Sequence, residues 1–273
     1  MVSTPIGNLR DVTLRALDVL ADADEILAED TRTARKLLDA YSIRTKVSPY
    51  HDHNGAVRRP EILSRLAEGR SIALISDAGT PLVSDPGYKL VRDAADAGHR
   101  VIPIPGASAL LAGLVVAGLP SDRFLFVGFL PAKRSARRKT LESIGQSAAT
   151  LVFYESGPRL ASALADMVEV LGPDREACVA RELTKLFEES RRGTLSDLQS
   201  HYAVADTPKG EIVVLVGPPS DTSVQTLDLD GALRDALETM PTKQAANAVA
   251  EALGIPKREA YQRALALKAN DAS

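Results

Sequence analysis

The stretch Ser76-Asp77-Ala78-Gly79-Thr80-Pro81-Leu82-Val83-Ser84-Asp85-Pro86-Gly87 constrains this chain more than any other. Ahead of it lies the short apolar run Ser71-Ile72-Ala73-Leu74-Ile75, and behind it Tyr88–Ala95 has helical spacing. A strand-to-helix loop of this kind sits at the carboxyl end of its strand, the edge of an open α/β sheet where small molecules bind. Gly and Pro let bare backbone approach a ligand there, and small polar side chains can cap the next helix. A cap alone needs a few residues. This stretch spends twelve, so it reads as a ligand loop, with Asp77 and Asp85 expected to shape and cap it rather than to carry out chemistry.

Up to about residue 104, apolar runs alternate with helical patterns. The expected strands are 25–28, 46–49, 71–76 and 100–104, and the expected helices 11–20, 31–41, 61–68 and 87–97. Such repeats predict a mainly parallel sheet covered on both faces. After Pro103-Ile104-Pro105-Gly106 the alternation resumes, with strands at 124–128, 150–154, 176–181 and 211–216 and an antiparallel addition at 186–194. Pro218–Ser223 has linker composition, and 231–273 reads as three helices, the last two resembling a helix-turn-helix with a Gly-containing turn. The predicted fold class is thus α/β: an N-terminal α/β domain (1–108), a second α/β domain (109–217) with a ligand cleft expected between them, and a small C-terminal helical appendage (231–273); the resemblance given below implies that this cleft holds a cofactor. Only Met1-Val2-Ser3 precede the loop-like Thr4–Asn8, so either the opening strand is a stub or the start of the chain has been placed late.

Composition bounds the function classes. Hydrophobic residues make up 45% and charged residues 25%, near the soluble average, and no apolar run is long enough for a transmembrane helix. A secretory signal is not recognisable either, so a cytoplasmic protein is expected. One cysteine, Cys178, rules out an internal disulfide and a multi-cysteine metal site. The net charge of −3 argues against a generally basic surface, yet Lys133, Arg134, Arg137, Arg138 and Lys139 place five cations and no acid within seven residues. From Thr242 to Lys268 the net charge is +3.

Several further clusters fall at predicted strand ends. Thr4-Pro5-Ile6-Gly7-Asn8 offers a second backbone-lined loop. Neither loop ends in Gly-Lys-Ser/Thr and no G-x-G-x-x-G follows a strand, so the ligand is not expected to be a nucleotide held by its phosphates. Glu29, Asp30, Arg32 and Lys36 put acids at a strand end and cations on the following helix. His51-Asp52-His53 contains two of the four histidines, but neither His99 nor His201 lies in a comparable polar cluster, so no metal is expected. Phe153–Arg159, Arg181–Lys185 and Lys209–Glu211 are later strand ends of mixed charge.

With these residues in view, the chain resembles the tetrapyrrole methylase superfamily of class III S-adenosylmethionine (SAM) methyltransferases, and within it the branch that methylates ribosomal RNA. Thr4–Asn8, Ala28–Thr33, His51–Asn54, Ser76–Gly87, Pro105–Ala109, Phe153–Arg159, Arg181–Lys185 and Lys209–Glu211 occur in the family's order and approximate spacing. The resemblance implies a homodimer with SAM in the cleft, acting on the ribose 2′-hydroxyl of a cytidine in small-subunit (16S) rRNA, either free or in the small ribosomal subunit. It implies that Gly79, Thr80, Leu82 and Val83 hold the methionine part, with Ser108 and Ala109 at the ligand. Phe153, Tyr154, Glu155, Gly210 and Glu211 would flank the adenosine, while Pro5 and Gly7 form a wall. Transfer to a hydroxyl needs position and a proton acceptor; Glu29 or His51 is the candidate base, and Arg32 or Lys36 would orient the phosphate or alkoxide. RNA contact is expected from Arg58, Arg59, the five cations at 133–139, and Lys257 and Arg258. Two rivals are a methyltransferase of a corrin or porphyrin precursor, which would need neither basic cluster nor C-terminal helices, and a non-catalytic DNA-binding regulator.

Overall fold

The computed structural model describes residues 1–219, 229–253 and 255–270. By internal contacts they form two compact units: Met1–Ile144 with Ala149–Pro218, and Gly145–Ala148 with the chain beyond Pro219.

The first unit carries two sheets. The N-terminal sheet has the order β2-β1-β3, all parallel, from β1 (Glu25–Ala28), β2 (Val47–Pro49) and β3 (Ile72–Ile75). Helices α1 (Leu14–Asp22), α2 (Thr31–Ala40), α3 (Asp52–Ala67) and α4 (Tyr88–Asp96) connect and cover it. Side-chain caps start two of them: Thr13 Oγ1 accepts from the Ala16 amide at 3.1 Å, and Asp30 accepts from the Arg32 amide at 2.8 Å. The opening residues pair through isolated bridges. Val2 bridges Ile104, the Val2 amide donates to Leu74 O at 2.9 Å, and Thr4 bridges Gly79. The strand expected at 100–104 is correspondingly reduced to that single bridge at Ile104.

Helix α3 starts at Asp52 rather than at residue 61, and Pro60 lies inside it. Proline favours a helix's first turn, but Pro60 is exposed, and α3 carries it in its interior. Its cations turn inward. Arg65 and Ser48 bond the buried carboxylate of Glu25, Arg58 lies 3.2 Å from Glu61 and 3.9 Å from Glu25, and Arg59 pairs with Asp93 at 2.9 Å.

The second sheet has the order β4-β5-β8-β6-β7, from β4 (Phe124–Phe129), β5 (Thr150–Ser156), β6 (Glu176–Arg181), β7 (Glu189–Thr194) and β8 (Glu211–Val216). Only β4 and β5 run parallel; the other neighbours are antiparallel. The mainly parallel expectation therefore holds for the first sheet and gives way to a mixed second sheet. Alternate residues of β5 face opposite ways. Leu151 and Phe153 join the core under α6 (Arg134–Ile144), α7 (Gly157–Leu171) and α8 (Leu195–Val204), whereas Val152 and Tyr154 face α5 (Ala109–Ala117).

The second unit contains α9 (Leu229–Thr239), α10 (Thr242–Leu253) and α11 (Lys257–Asn270), packed around Leu233, Ala246, Val249, Ala260, Ala264 and Leu267. Arg263 on α11 makes a two-pronged pair with Asp230 on α9, at 2.6 and 2.5 Å. The turn residue Gly254 and most of the Pro218–Ser223 linker lie outside the described residues.

Candidate active site

The Ser76–Gly87 loop is built from backbone that few side chains accept. Gly79, Leu82, Ser84 and Gly87 all have φ between 66° and 125°, and Leu82 and Ser84 bear the strain of that left-handed region. Several contacts hold it. Thr4 and Gly79 exchange amide bonds of 2.8 and 3.1 Å, Thr4 Oγ1 donates to Ser76 O, and Thr80 Oγ1 donates to Ala107 O at 3.2 Å. A Cβ on Gly79 would lie 3.3 Å from Ile6. At the loop's far end, Ser84 Oγ sits against Gly128, where the register between β4 and β5 shifts.

This loop forms one wall of a cavity of about 370 Å³. Asp77, Gly79, Thr80, Val83 and Asp85 come from the loop, Ile6 from the opening segment, and Ser108 and Ala109 from the start of α5. Tyr154, Glu155 and Ser156 at the end of β5, Leu183, and Gly210–Val213 supply the opposite wall. Four carboxylates, Asp77, Asp85, Glu155 and Glu211, line it, with no Lys or Arg in the lining.

The carboxylates differ in their surroundings. Glu211 has Lys185 Nζ at 3.1 Å. Glu155 is buried; one oxygen accepts from the Ser156 amide at 2.8 Å and lies 3.3 Å from Arg159, while Oε2 has no hydrogen-bond partner. Asp77 accepts from the Asp30 amide at 3.0 Å. Burial pushes the Asp85 carboxyl up to about 6, against a hydrogen bond with Ser76 and helped by the charges of Glu29 and Asp77. Asp85 thus does not cap α4, whose N-cap is Gly87 without a side-chain bond.

Glycines fix the second wall too. Gly210 has φ +95°, and a Cβ there would overlap the carboxylate of Glu182. That carboxylate accepts from the Glu211 amide at 3.0 Å and from Lys185 Nζ at 2.7 Å. On the other side of β8's start, Gly157 leaves no room for a Cβ against Pro208 O.

A second cavity of about 450 Å³ shares Ile6, Asp77, Ala78 and Glu211 with the first. It adds Thr4, Pro5 and Gly7 from the opening loop, Thr33 and Lys36 from α2, and Lys185. The Lys185 stem lies over the bare backbone of Gly7.

The candidate residues sort as follows. Gly79, Thr80, Val83, Ser108, Ala109, Tyr154, Glu155, Gly210 and Glu211 line the first cavity, and Pro5, Gly7 and Lys36 the second. Leu82 lines neither. Phe153 is fully buried in the core on the other face of β5, which takes it away from the cavity. Glu29 is half-buried at the end of β1 and close enough to act on Asp85. Arg32 is exposed and pairs with Asp30 at 2.8 Å, which holds the Asp30 carboxyl down at about 2. His51 precedes α3 as its N-cap, its amide donating to Asn54 Oδ1 at 3.0 Å. It lines neither cavity. Among the described residues no group of three or more His, Cys, Asp or Glu is placed to hold a metal.

The basic cluster is mostly consumed by the fold. Arg137 is buried against Asp166 at 2.7 Å, Arg134 bonds Asp166 and Glu169, and Arg138 pairs with Glu169. Lys133 and Lys139 stay exposed, as do Lys257 and Arg258 on α11. Arg58 and Arg59 pair inward as well, whereas Arg134 keeps 62% of its side chain exposed. The sequence shows the cations but not the acids of α7 that face them.

Residues 1–199 match the family model described as Tetrapyrrole (Corrin/Porphyrin) Methylases. The chain belongs to the tetrapyrrole methylase family. Residues 224–268 match a second model, the RsmI C-terminal HTH domain. Ribosomal RNA small subunit methyltransferase I of Mesorhizobium japonicum is 54% identical over 98% of this chain and 91% of its own length. The protein of that name from Erythrobacter litoralis is 53% identical over 98% and 94%. Among solved structures, uroporphyrin-III C-methyltransferase from Thermus thermophilus complexed with S-adenyl homocysteine shares the fold, with a TM-score of 0.54 and 18% identity over 78% of this chain and 94% of its own. Asp77 and Asp85 are the cavity residues that sequence reasoning set aside. Their place in the twelve-residue loop was the available signal.

Proposed function

We propose that this chain is a SAM-dependent methyltransferase that 2′-O-methylates the ribose of a cytidine in small-subunit (16S) rRNA. The observation that carries the reading is likeness along the whole chain, C-terminal helices included, to proteins named ribosomal RNA small subunit methyltransferase I. A corrin or porphyrin substrate gains no support from that C-terminal match.

The first cavity fits SAM by its chemistry. Carboxylates without a lining cation suit a ligand that carries a sulfonium and an ammonium, and they repel phosphates. Gly79, Thr80, Val83, Ser108 and Ala109 would hold one end of the cofactor, and Tyr154, Glu155, Gly210 and Glu211 the other. When bound, SAM supplies an activated methyl group. The chain's own part is to place the ribose hydroxyl, exclude water and take its proton. The adjoining cavity, with Lys36 exposed at its edge, is the place for the target nucleotide, Lys36 facing its phosphate. Glu29 remains the candidate proton acceptor. His51 and Arg32 act, on this reading, through the loops they support.

RNA contact then rests on Lys133, Lys139, Lys257 and Arg258. A homodimer is supported by exposed apolar residues one helical turn apart on α5, Leu111 and Val115, and by Phe124 and Leu125 on the edge strand β4. No helix among the described residues is long and apolar enough to cross a membrane, and the cytoplasm is the compartment that holds the proposed substrate. The test is incubation with methyl-labelled SAM and, separately, free 16S rRNA, small subunits or a tetrapyrrole, followed by nuclease digestion and mass spectrometry. Label on a cytidine 2′-oxygen is expected; label in a base, in a tetrapyrrole or nowhere refutes the proposal.

A further inference from the structure

We infer that Asp85, with Asp77 beside it, makes the first cavity sense the charge of its occupant, favouring the sulfonium of SAM over the neutral thioether of S-adenosylhomocysteine. This rests on the SAM reading above and adds a role that the fold alone does not require.

The four lining carboxylates are not equivalent. On the wall formed by β5 and β8, each acid has a cation behind it: Arg159 lies 3.3 Å from Glu155, and Lys185 lies 3.1 Å from Glu211. On the loop wall, Asp77 takes a backbone amide and Asp85 a hydroxyl, and among the described ion pairs neither has a cation. The excess negative charge is therefore on the loop side. It is reinforced rather than relieved by Glu29 at the end of β1.

A second observation points to a ligand. Glu155 Oε2 is buried in the same cavity with no hydrogen-bond partner. An occupant that carries net positive charge answers the excess charge of the lining.

The functional consequence concerns product release. Once its methyl group is gone, the cofactor's sulfur carries no charge, and the sulfonium's share of the attraction to Asp85 and Asp77 ends while that of the ammonium remains. Glycine-bound backbone contacts, which do not depend on that charge, hold substrate and product alike; the carboxylates supply the difference between them. The groups facing Asp85 are Ser76 and Asp77 from its own loop, Glu29 from β1, and Tyr154 from β5. Tyr154 is raised, chiefly by burial, and stays a neutral phenol in the acid range. The charge preference should thus weaken as Asp85 takes up a proton, between about pH 7 and about pH 5.

Calorimetric titration of the full chain tests this with three probes: SAM, S-adenosylhomocysteine, and an analogue bearing a protonated amine in place of the sulfonium. The wild type is expected to prefer both cationic probes over the thioether by roughly fivefold or more, about 1 kcal/mol. Asp85→Asn should lower that ratio towards one, chiefly by weakening the two cationic probes. In the wild type the ratio should also fall between about pH 7 and about pH 5, a readout that needs no variant. A ratio unchanged by both Asp85→Asn and pH, with SAM still bound, overturns the inference. Failure of the wild type to bind SAM at all would instead refute the SAM reading.

Discussion

Arg137 on α6 and Asp166 on α7 form a buried ion pair at 2.7 Å, each side chain at most 6% exposed. Burial alone would raise the Asp166 carboxyl, but the bonds from Arg134 and Arg137 outweigh it and hold it low. The centre of the most basic segment in the chain is thereby a structural fastening. Arg137→Ala leaves Asp166 a buried charge with only the half-exposed Arg134, and should cost about 3–5 kcal/mol in urea unfolding.

The two lysines flanking that pair behave differently. Lys133→Glu with Lys139→Glu should leave the urea midpoint nearly unchanged, because both side chains are exposed. Binding to 16S rRNA should weaken at low salt, with the slope of log affinity against log salt reduced by about one to two. Filter binding across a salt series measures it. Unchanged affinity and slope would remove these lysines from the RNA surface.

Gly210 leaves its space to Glu182 and holds φ +95°. Gly210→Ala is expected to push Glu182 off the Glu211 amide and to strain the backbone, lowering stability by about 1–3 kcal/mol. SAM affinity should fall roughly tenfold or more, equivalent to about 1.4 kcal/mol, by calorimetry. The same substitution at exposed Gly69, where a Cβ would meet nothing within 4 Å, controls for the positive φ alone.

Asp85 carries a stability signature of opposite sign to that of a salt-bridged acid. Its folded-state pKa, about 6, lies above the ordinary 3.8, so the folded state binds the proton more tightly. Stability contributed by this group falls as pH rises from about 4 to about 6 and stays lower above that range. Asp85→Asn should therefore be more stable than wild type near pH 7.5, by on the order of 1 kcal/mol, with the gap closing by about pH 4. Urea unfolding at the two pH values reads the difference. A gap of the same size at both would mean that Asp85 ionisation is not its source.

Strands β1, β6 and β8 are legible to the residue because each carries a run of at least four consecutive buried residues between turn signals. Helix α3 is less so, since Pro60 reads as a start signal but lies well inside the helix. The strand expected from residue 186 begins at Glu189, because Glu182 and Thr184 adopt left-handed backbone and the intervening residues form a turn.

What the sequence determined by itself was the order of the elements, the loops at their ends, and the family those motifs mark. It did so through local signals: glycine where backbone must bend or be approached, apolar runs where strands are buried, and a change of pattern before the C-terminal helices. Only the tertiary structure decided which side each group faces. A strand buried on both faces has no alternation to read, so Phe153 and Tyr154 look alike until packing sends one into the core and the other to the cavity. Charge is decided the same way. The acids of α7 turn a basic cluster into fastenings, while the meeting of the β1 and β3 loops leaves Asp85 near Glu29 and Asp77 and, among the described ion pairs, without a cation. Such partners lie tens of residues apart in the chain, and their effect on one another depends on distance and burial that only the folded molecule sets.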